Sequence, residues 1–317
     1  MNSPVRKVSK PNTPILWFDT GFIWSRRNDL NFWQQLSTVI LGRKVIVVDT
    51  GQFTEIQERY SSKFTMNPES ELLLRRYELL VQDYSSTDHN SFLSKQISRA
   101  MKACVEQKDE VIYDFYDLFD PLINFLTPFL DIQNRLFKRR WGTPSAFKSL
   151  SKSMADDWES LGSQAKSKRI SLLKQRELEL LGLHEALKKV IESGDQVKME
   201  NLVKHHLRNW ENASGESSID SMLGFFKSPY YKTIPYIEIH SWLISDLMTS
   251  NKSRKFNRGD YFDVVMISMM YPFADYMVVD NDMRDRIVDK LKFSKRYPEF
   301  TCSLIAPGEV DELLRKL

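Results

Sequence analysis

Hydrophobic residues form short unbroken runs near both ends of the chain and recur at helical spacing through most of the stretch between them. Pro14-Ile-Leu-Trp-Phe-Asp19 is a continuous apolar run bounded by proline and glycine, the pattern of a strand buried on both faces. From Phe22 to Leu41 the spacing turns helical, with Gly42 where a helix ends. Lys44-Val-Ile-Val-Val-Asp49 predicts a second strand, and Phe53 to Tyr60 a second helix. Such alternation implies right-handed crossovers and a parallel sheet, so the fold class is α/β. Beyond Ser61 the strand pattern fades. Glu69–Gln82, His89–Glu106, Ile112–Phe137, Phe147–Ser163, Ser167–Ser193, Val197–Asn212 and Ile234–Thr249 all suit helices. Leu172 to Val190 is the most regular of these stretches, with the look of an α-hairpin arm.

Strand signals return late. A glycine and an acidic helix start, Arg258-Gly-Asp-Tyr-Phe-Asp263, lead into an apolar helix that stops near Pro272. The run Tyr276 to Val279 is then a strand ending in Asp280, Arg284–Phe293 a helix, Phe300–Ile305 a last strand and Pro307–Leu317 a closing helix. The reading is therefore a loose arm over residues 1–13, an α/β core from 14–63 and 233–317, and a mainly helical insertion over 64–232. For one sheet to form, the two ends of the chain must pair.

Composition narrows the function classes. The 317 residues, 42% hydrophobic and 12% aromatic, support a substantial core. A net charge of +3 neither demands nor excludes a polyanionic partner. Two cysteines make neither a disulfide framework nor a zinc site, and the opening residues lack the apolar core of a signal peptide, so a cytoplasmic setting is expected. No apolar run reaches the ~20 residues needed to cross a bilayer, so no membrane partner is expected.

The candidate chemistry is acidic. Asp19 ends the first strand, Glu55 lies in the first turns of the next helix, Asp263 starts the late helix and Asp280 ends the third strand. Helix N-termini and the carboxyl ends of parallel strands share one sheet edge, so separate elements deliver all four acids to one place. Uncompensated carboxylates repel one another unless a hard divalent cation, Mg²⁺ or Mn²⁺, sits among them. Taken singly, each acid reads as well as a turn former or helix cap. Asp260 and Asp282 are near neighbours that substitute or assist, and Asp260 competes with Asp263 for the helix-start role. Asp49 is read either as a fifth member or as a cap, and Thr20 as a ligand-shell hydroxyl or a cap. Asp19-Thr-Gly and Asp49-Thr-Gly spell the aspartic-protease triplet, yet that architecture is all-β. The five histidines show no metal spacing.

The strand ending in Asp19, the strand and helix carrying Glu55, and Asp263 opening the helix that leads to Tyr276-Met-Val-Val-Asp280 together resemble the PIN-domain nucleases. The resemblance implies a parallel-sheet α/β/α sandwich interrupted by the helical insertion, and a metal-dependent endonuclease. Asp19, Glu55, Asp263 and Asp280 would then be catalytic and hold the ion, with hydrolysis of RNA favoured over DNA. A bacterial toxin or anti-phage defence setting is what the family's habits imply.

Cations supply the matching half. Arg254, Lys255 and Arg258 sit directly ahead of the acidic helix start, where they would hold neighbouring phosphates. Lys138, Arg139 and Arg140 belong to a stretch, 131–170, with nine basic residues against four acidic ones and interleaved aromatics, the composition of a single-strand binding surface or of a solvated helix face. Arg26, Arg27 and Arg284 would extend this rim. The rival reading is a non-catalytic helical adaptor with a degenerate core, binding a regulatory protein or a second copy through the insertion.

Overall fold

The computed structural model describes residues 3–52, 55–56, 68–81, 84–86, 89–121, 157, 160, 163, 167–250 and 258–317. Eight strands occur among the described residues: β1 (Val5–Ser9), β2 (Ile15–Phe18), β3 (Ile46–Asp49), β4 (Tyr84–Ser86), β5 (Glu110–Asp114), β6 (Phe119–Pro121), β7 (Tyr276–Val278) and β8 (Ser303–Ile305). Six of them form one sheet in the order β6-β4-β3-β2-β7-β8, and β1 pairs with β5 in a separate two-stranded sheet. Every pairing in the larger sheet is parallel except β4 with β6. With its many helices, the fold is mixed α/β.

The chain divides into two compact units. One comprises Met1–Val8, Leu93–Tyr113 and Ala155–Asn257; the other comprises Ser9–Phe92, Asp114–Met154 and Arg258–Leu317. The second holds the six-stranded sheet. Its central strand β2 is buried at all four residues, as the unbroken apolar run predicts for a strand covered on both faces. Leu16 and Phe18 point into a core with Phe22, Phe32, Leu36, Val47, Leu73 and Val278. Phe18 and Phe22 stack at 5.6 Å, with Phe32 edge-on to both. A second aromatic cluster in this unit joins Phe92, Phe115, Phe119 and Phe273. The helix Arg258–Met270 is buried nearly all round from Val264 to Met270, and Pro272 stands just past its end.

In the first unit the long helix Leu172–Ser193 is capped by Ser171 and ends at Gly194. It packs against Pro235–Thr249. Arg176 joins these two helices by an ion pair to Glu238 at 2.6 Å, its guanidinium lying 4.5 Å from the Trp242 ring. Helix Pro235–Thr249, grouped with the second core segment in the sequence reading, thus falls in this unit.

Several sequence expectations are corrected. Val5–Ser9 is a strand rather than part of a loose arm. The helix expected over 22–41 is two, Thr20–Ser25 and Leu30–Leu41, because Asp29 caps the second by accepting from the Phe32 N–H and Arg26 ties to Asp29 at 2.6 Å. The start of the helix expected at 112–137 is instead strand β5, in which Val111 and Tyr113 are buried and Ile112 is exposed, an alternation of period two. Strand β4 occupies the break between the helices expected at 69–82 and 89–106, and β6 falls within the helix expected at 112–137 and makes the sheet mixed rather than wholly parallel. Most of the helix expected at 147–163 lies outside the described residues. No helix among the described residues is long and apolar enough to cross a membrane.

Candidate functional site

Strand order locates the site. From β2 the chain steps to β3 and β4 on one side, then returns to β7 and β8 on the other. The crevice between the carboxyl ends of β2 and β7 is thus the point where the winding reverses, the place where open α/β sheets bind ligands. Asp19 follows β2 and Asp280 follows β7 after one further residue, so both acids border that crevice. The register Phe18 with Val278 and the bond from Asp19 N–H to Val278 O, 2.8 Å, hold the two strand ends level.

Both aspartates are also helix caps. The Asp19 carboxylate accepts from the Gly21 N–H at 2.9 Å, and Asp280 accepts from Met283 N–H at 2.7 Å. At position 21 a Cβ would stand 2.9 Å from Asp19 Oδ2, so glycine is what lets the carboxylate come so close to the backbone. Both aspartates thus act as helix caps while standing at the carboxyl ends of adjacent strands.

Glu55 arrives from the next connection. After Asp49 the chain turns through Thr50 and Gly51, whose φ of 131° suits only glycine, and the Glu55 N–H bonds Gly51 O at 2.9 Å. Glu55 is buried. Asp49 goes elsewhere: its charge, after burial, holds the Tyr77 phenol well above its ordinary range, which places the carboxylate beside a core tyrosine rather than among the acids. The turn is secured by side chains that the sequence reading did not single out. Thr50 Oγ1 accepts from Trp17 Nε1 at 2.9 Å, and Gln52 bonds both Thr50 N and Phe18 O. The only hint in the sequence was the Asp49-Thr-Gly triplet, set aside as a protease motif.

Asp260 and Asp263 enter from the first turns of helix Arg258–Met270, three residues apart and so on one face. Asp260 is buried and Asp263 half-buried. Electrostatics unites the set. Burial pushes the Asp19 carboxyl up to about 6, reinforced by the Glu55 charge and then, against the backbone N–H of Gly21, by Asp280. Asp263 is driven well above the usual carboxylate range, first by burial and then by Asp19, Glu55, Asp280 and Asp260 in turn. The charges acting most strongly on both groups are thus other carboxylates. Four elements separated widely in sequence bring these five acids within electrostatic reach of one another.

They do not close into a finished cage. Among the described residues no group of three or more His, Cys, Asp or Glu side chains is arranged to hold a metal ion as it stands. The donor chemistry nonetheless fits a hard cation, because oxygen ligands and surplus negative charge are what Mg²⁺ and Mn²⁺ take. Thr20 is buried beside Asp19, and its hydroxyl has no partner among the described residues.

Other predicted residues lie apart. Asp282 is engaged with Arg286 at 3.0 Å, one helical turn on. The proposed rim arginines are committed internally: Arg26 to Asp29 and to Asp311 at 3.2 Å, Arg27 to Glu69 at 3.3 Å, and Arg284 within 4.0 Å of Glu309. Arg258 begins its helix, while Arg254, Lys255, Lys138, Arg139 and Arg140 lie outside the described residues. Set against protein-family models, curated proteins and solved structures, the chain finds no match in any of the three comparisons.

Proposed function

We propose that this chain is a divalent-cation-dependent endonuclease that hydrolyses phosphodiester bonds, in RNA rather than DNA, on a PIN-like α/β/α sandwich. The observation that carries the reading is the convergence of Asp19, Glu55, Asp263 and Asp280, with the Asp260 charge also acting on Asp263, at the crevice where the sheet's winding reverses. A cluster in which burial and neighbouring carboxylates raise Asp19 and Asp263 is poised to exchange protons for a cation. Asp19 and Asp280 would be the central ligands, with Glu55 and Asp263 completing the set. Bound there, Mg²⁺ or Mn²⁺ would supply an activated water and steady the departing oxygen. The chain's own part is to present oxygens from strand ends and helix starts, and to offer the Thr20 hydroxyl beside Asp19, which has no partner among the described residues. Arg254, Lys255 and Arg258, just ahead of the acidic helix, would hold the flanking phosphates.

The experiment is cleavage of a mixed panel of single- and double-stranded RNA and DNA with Mn²⁺. Asp19→Asn and Asp280→Asn should each reduce cleavage by roughly a thousandfold, the several kcal/mol that metal electrostatics supplies, with circular dichroism unchanged. Equal cleavage by wild type and both variants sinks the reading.

A further inference from the structure

Gln52 is fully buried, and its side-chain amide bonds backbone groups of two different elements, with a further contact to its Oε1 from the Thr50 hydroxyl at 3.3 Å. Its Oε1 accepts from Thr50 N–H at 2.6 Å, and its Nε2 donates to Phe18 O at 2.9 Å. Phe18 immediately precedes Asp19, and Gln52 stands three residues ahead of Glu55. The backbone does not make this link itself: the recorded pairing of β2 with β3 covers Ile15 with Ile46 and Leu16 with Val47. Past that point the side chain of Gln52 takes the place of a ladder bond. Trp17 adds a strut, its Nε1 donating to Thr50 Oγ1 at 2.9 Å.

We propose that Gln52 is a positioning residue of the acidic site, fixing the strand end that bears Asp19 against the helix that bears Glu55. The inference rests on the metal-site reading above. A buried amide bonded to two main-chain groups has no slack, since leaving either partner unmet costs a full desolvation penalty. The placement of the two carboxylates then depends on two bonds next to them: Gln52 to Phe18 O, beside Asp19, and the Glu55 N–H to the carbonyl of Gly51, beside Gln52. Cation affinity depends on such spacing, because ligand oxygens must converge on one centre.

The test is Mn²⁺ affinity by titration calorimetry, with melting temperature in chelator recorded beside it. Gln52→Met keeps the volume and removes both bonds, and should weaken Mn²⁺ binding by about tenfold or more. Thr50→Val removes the Trp17 strut and the hydroxyl contact to Gln52 Oε1, leaves both backbone bonds of Gln52, and should stay within about twofold while also melting lower. Gln52→Asn, one methylene shorter, can keep only one bond and should fall between them; it decides the matter if Gln52→Met does not fold. Wild-type affinity in Gln52→Met or Gln52→Asn overturns the proposal, as does an equal loss in Thr50→Val. A wild type that binds no Mn²⁺ overturns the metal-site reading itself, a result distinguishable because every variant would then be silent too.

Discussion

The two ends of the same sheet carry aspartates in opposite circumstances. At the amino end of β7, Asp275 accepts from Lys10 Nζ at 2.5 Å and from the Ile15 N–H at 2.8 Å, and Lys10 reaches on to Thr301 at 2.8 Å. That acid is neutralised, and it staples β2, β7 and the start of β8 together, as an ion-paired turn residue does. At the carboxyl end, Asp19 and Asp263 are raised first by burial and then by other carboxylates. Nothing in residue type separates Asp275 from Asp280, which lie five positions apart around one short strand. Their company separates them: a paired acid stabilises the fold, while acids gathered against one another cost stability until a cation joins them.

The largest expected contrast is in the response to Mn²⁺. At a hundred times the dissociation constant, a native-state ligand adds about 2.7 kcal/mol, so wild type should melt roughly 5–10 °C higher, at about 2–4 °C per kcal/mol. Asp275→Asn should keep that increment and Asp263→Asn should lose it; differential scanning calorimetry with and without Mn²⁺ decides, and an increment surviving in Asp263→Asn breaks the comparison. Without metal the two substitutions should move stability in opposite directions. Asp263→Asn relieves repulsion and should raise the melting temperature by about 2–4 °C, whereas Asp275→Asn loses a charge-assisted bond and should lower it by a similar amount, each reflecting about 1 kcal/mol. Two shifts of the same sign would show that the ends do not differ.

The smallest effect is the pH dependence of the metal-free protein. A carboxyl whose folded pKa is raised to about 6 gives a contribution that is full below the ordinary value of 3.8 and is lost as pH rises through 6. Wild type without metal should therefore melt a few degrees higher at pH 5 than at pH 7.5, and Asp19→Asn should flatten that difference. Unaltered slopes in the variant would assign the pH response to other groups.

Much of this was legible in residue order. The apolar run of β2 needs burial on both faces wherever it is placed, and an aspartate directly after such a strand falls at the carboxyl edge because it follows the last strand residue. Asp19, Glu55, Asp263 and Asp280 could therefore be assigned to one edge from sequence, because local patterning sets element type and direction. The three-residue strands β4, Tyr-Ser-Ser, and β6, Phe-Asp-Pro, are too short to show an apolar run or an alternation, and what marks them as strands is their pairing with neighbours. The arginines at 26, 27 and 284 looked like a phosphate rim until folding supplied Asp29, Asp311, Glu69 and Glu309 as partners. Asp49 could have joined the acids, yet its side chain settles beside Tyr77, and the clamp made by Gln52 is invisible without coordinates. The sequence alone determined which edge would be acidic, since hydrophobic periodicity is a local property of the chain. Which aspartate meets a lysine and which meet other acids was decided only by tertiary structure, since pairing depends on what distant segments bring within a few ångströms.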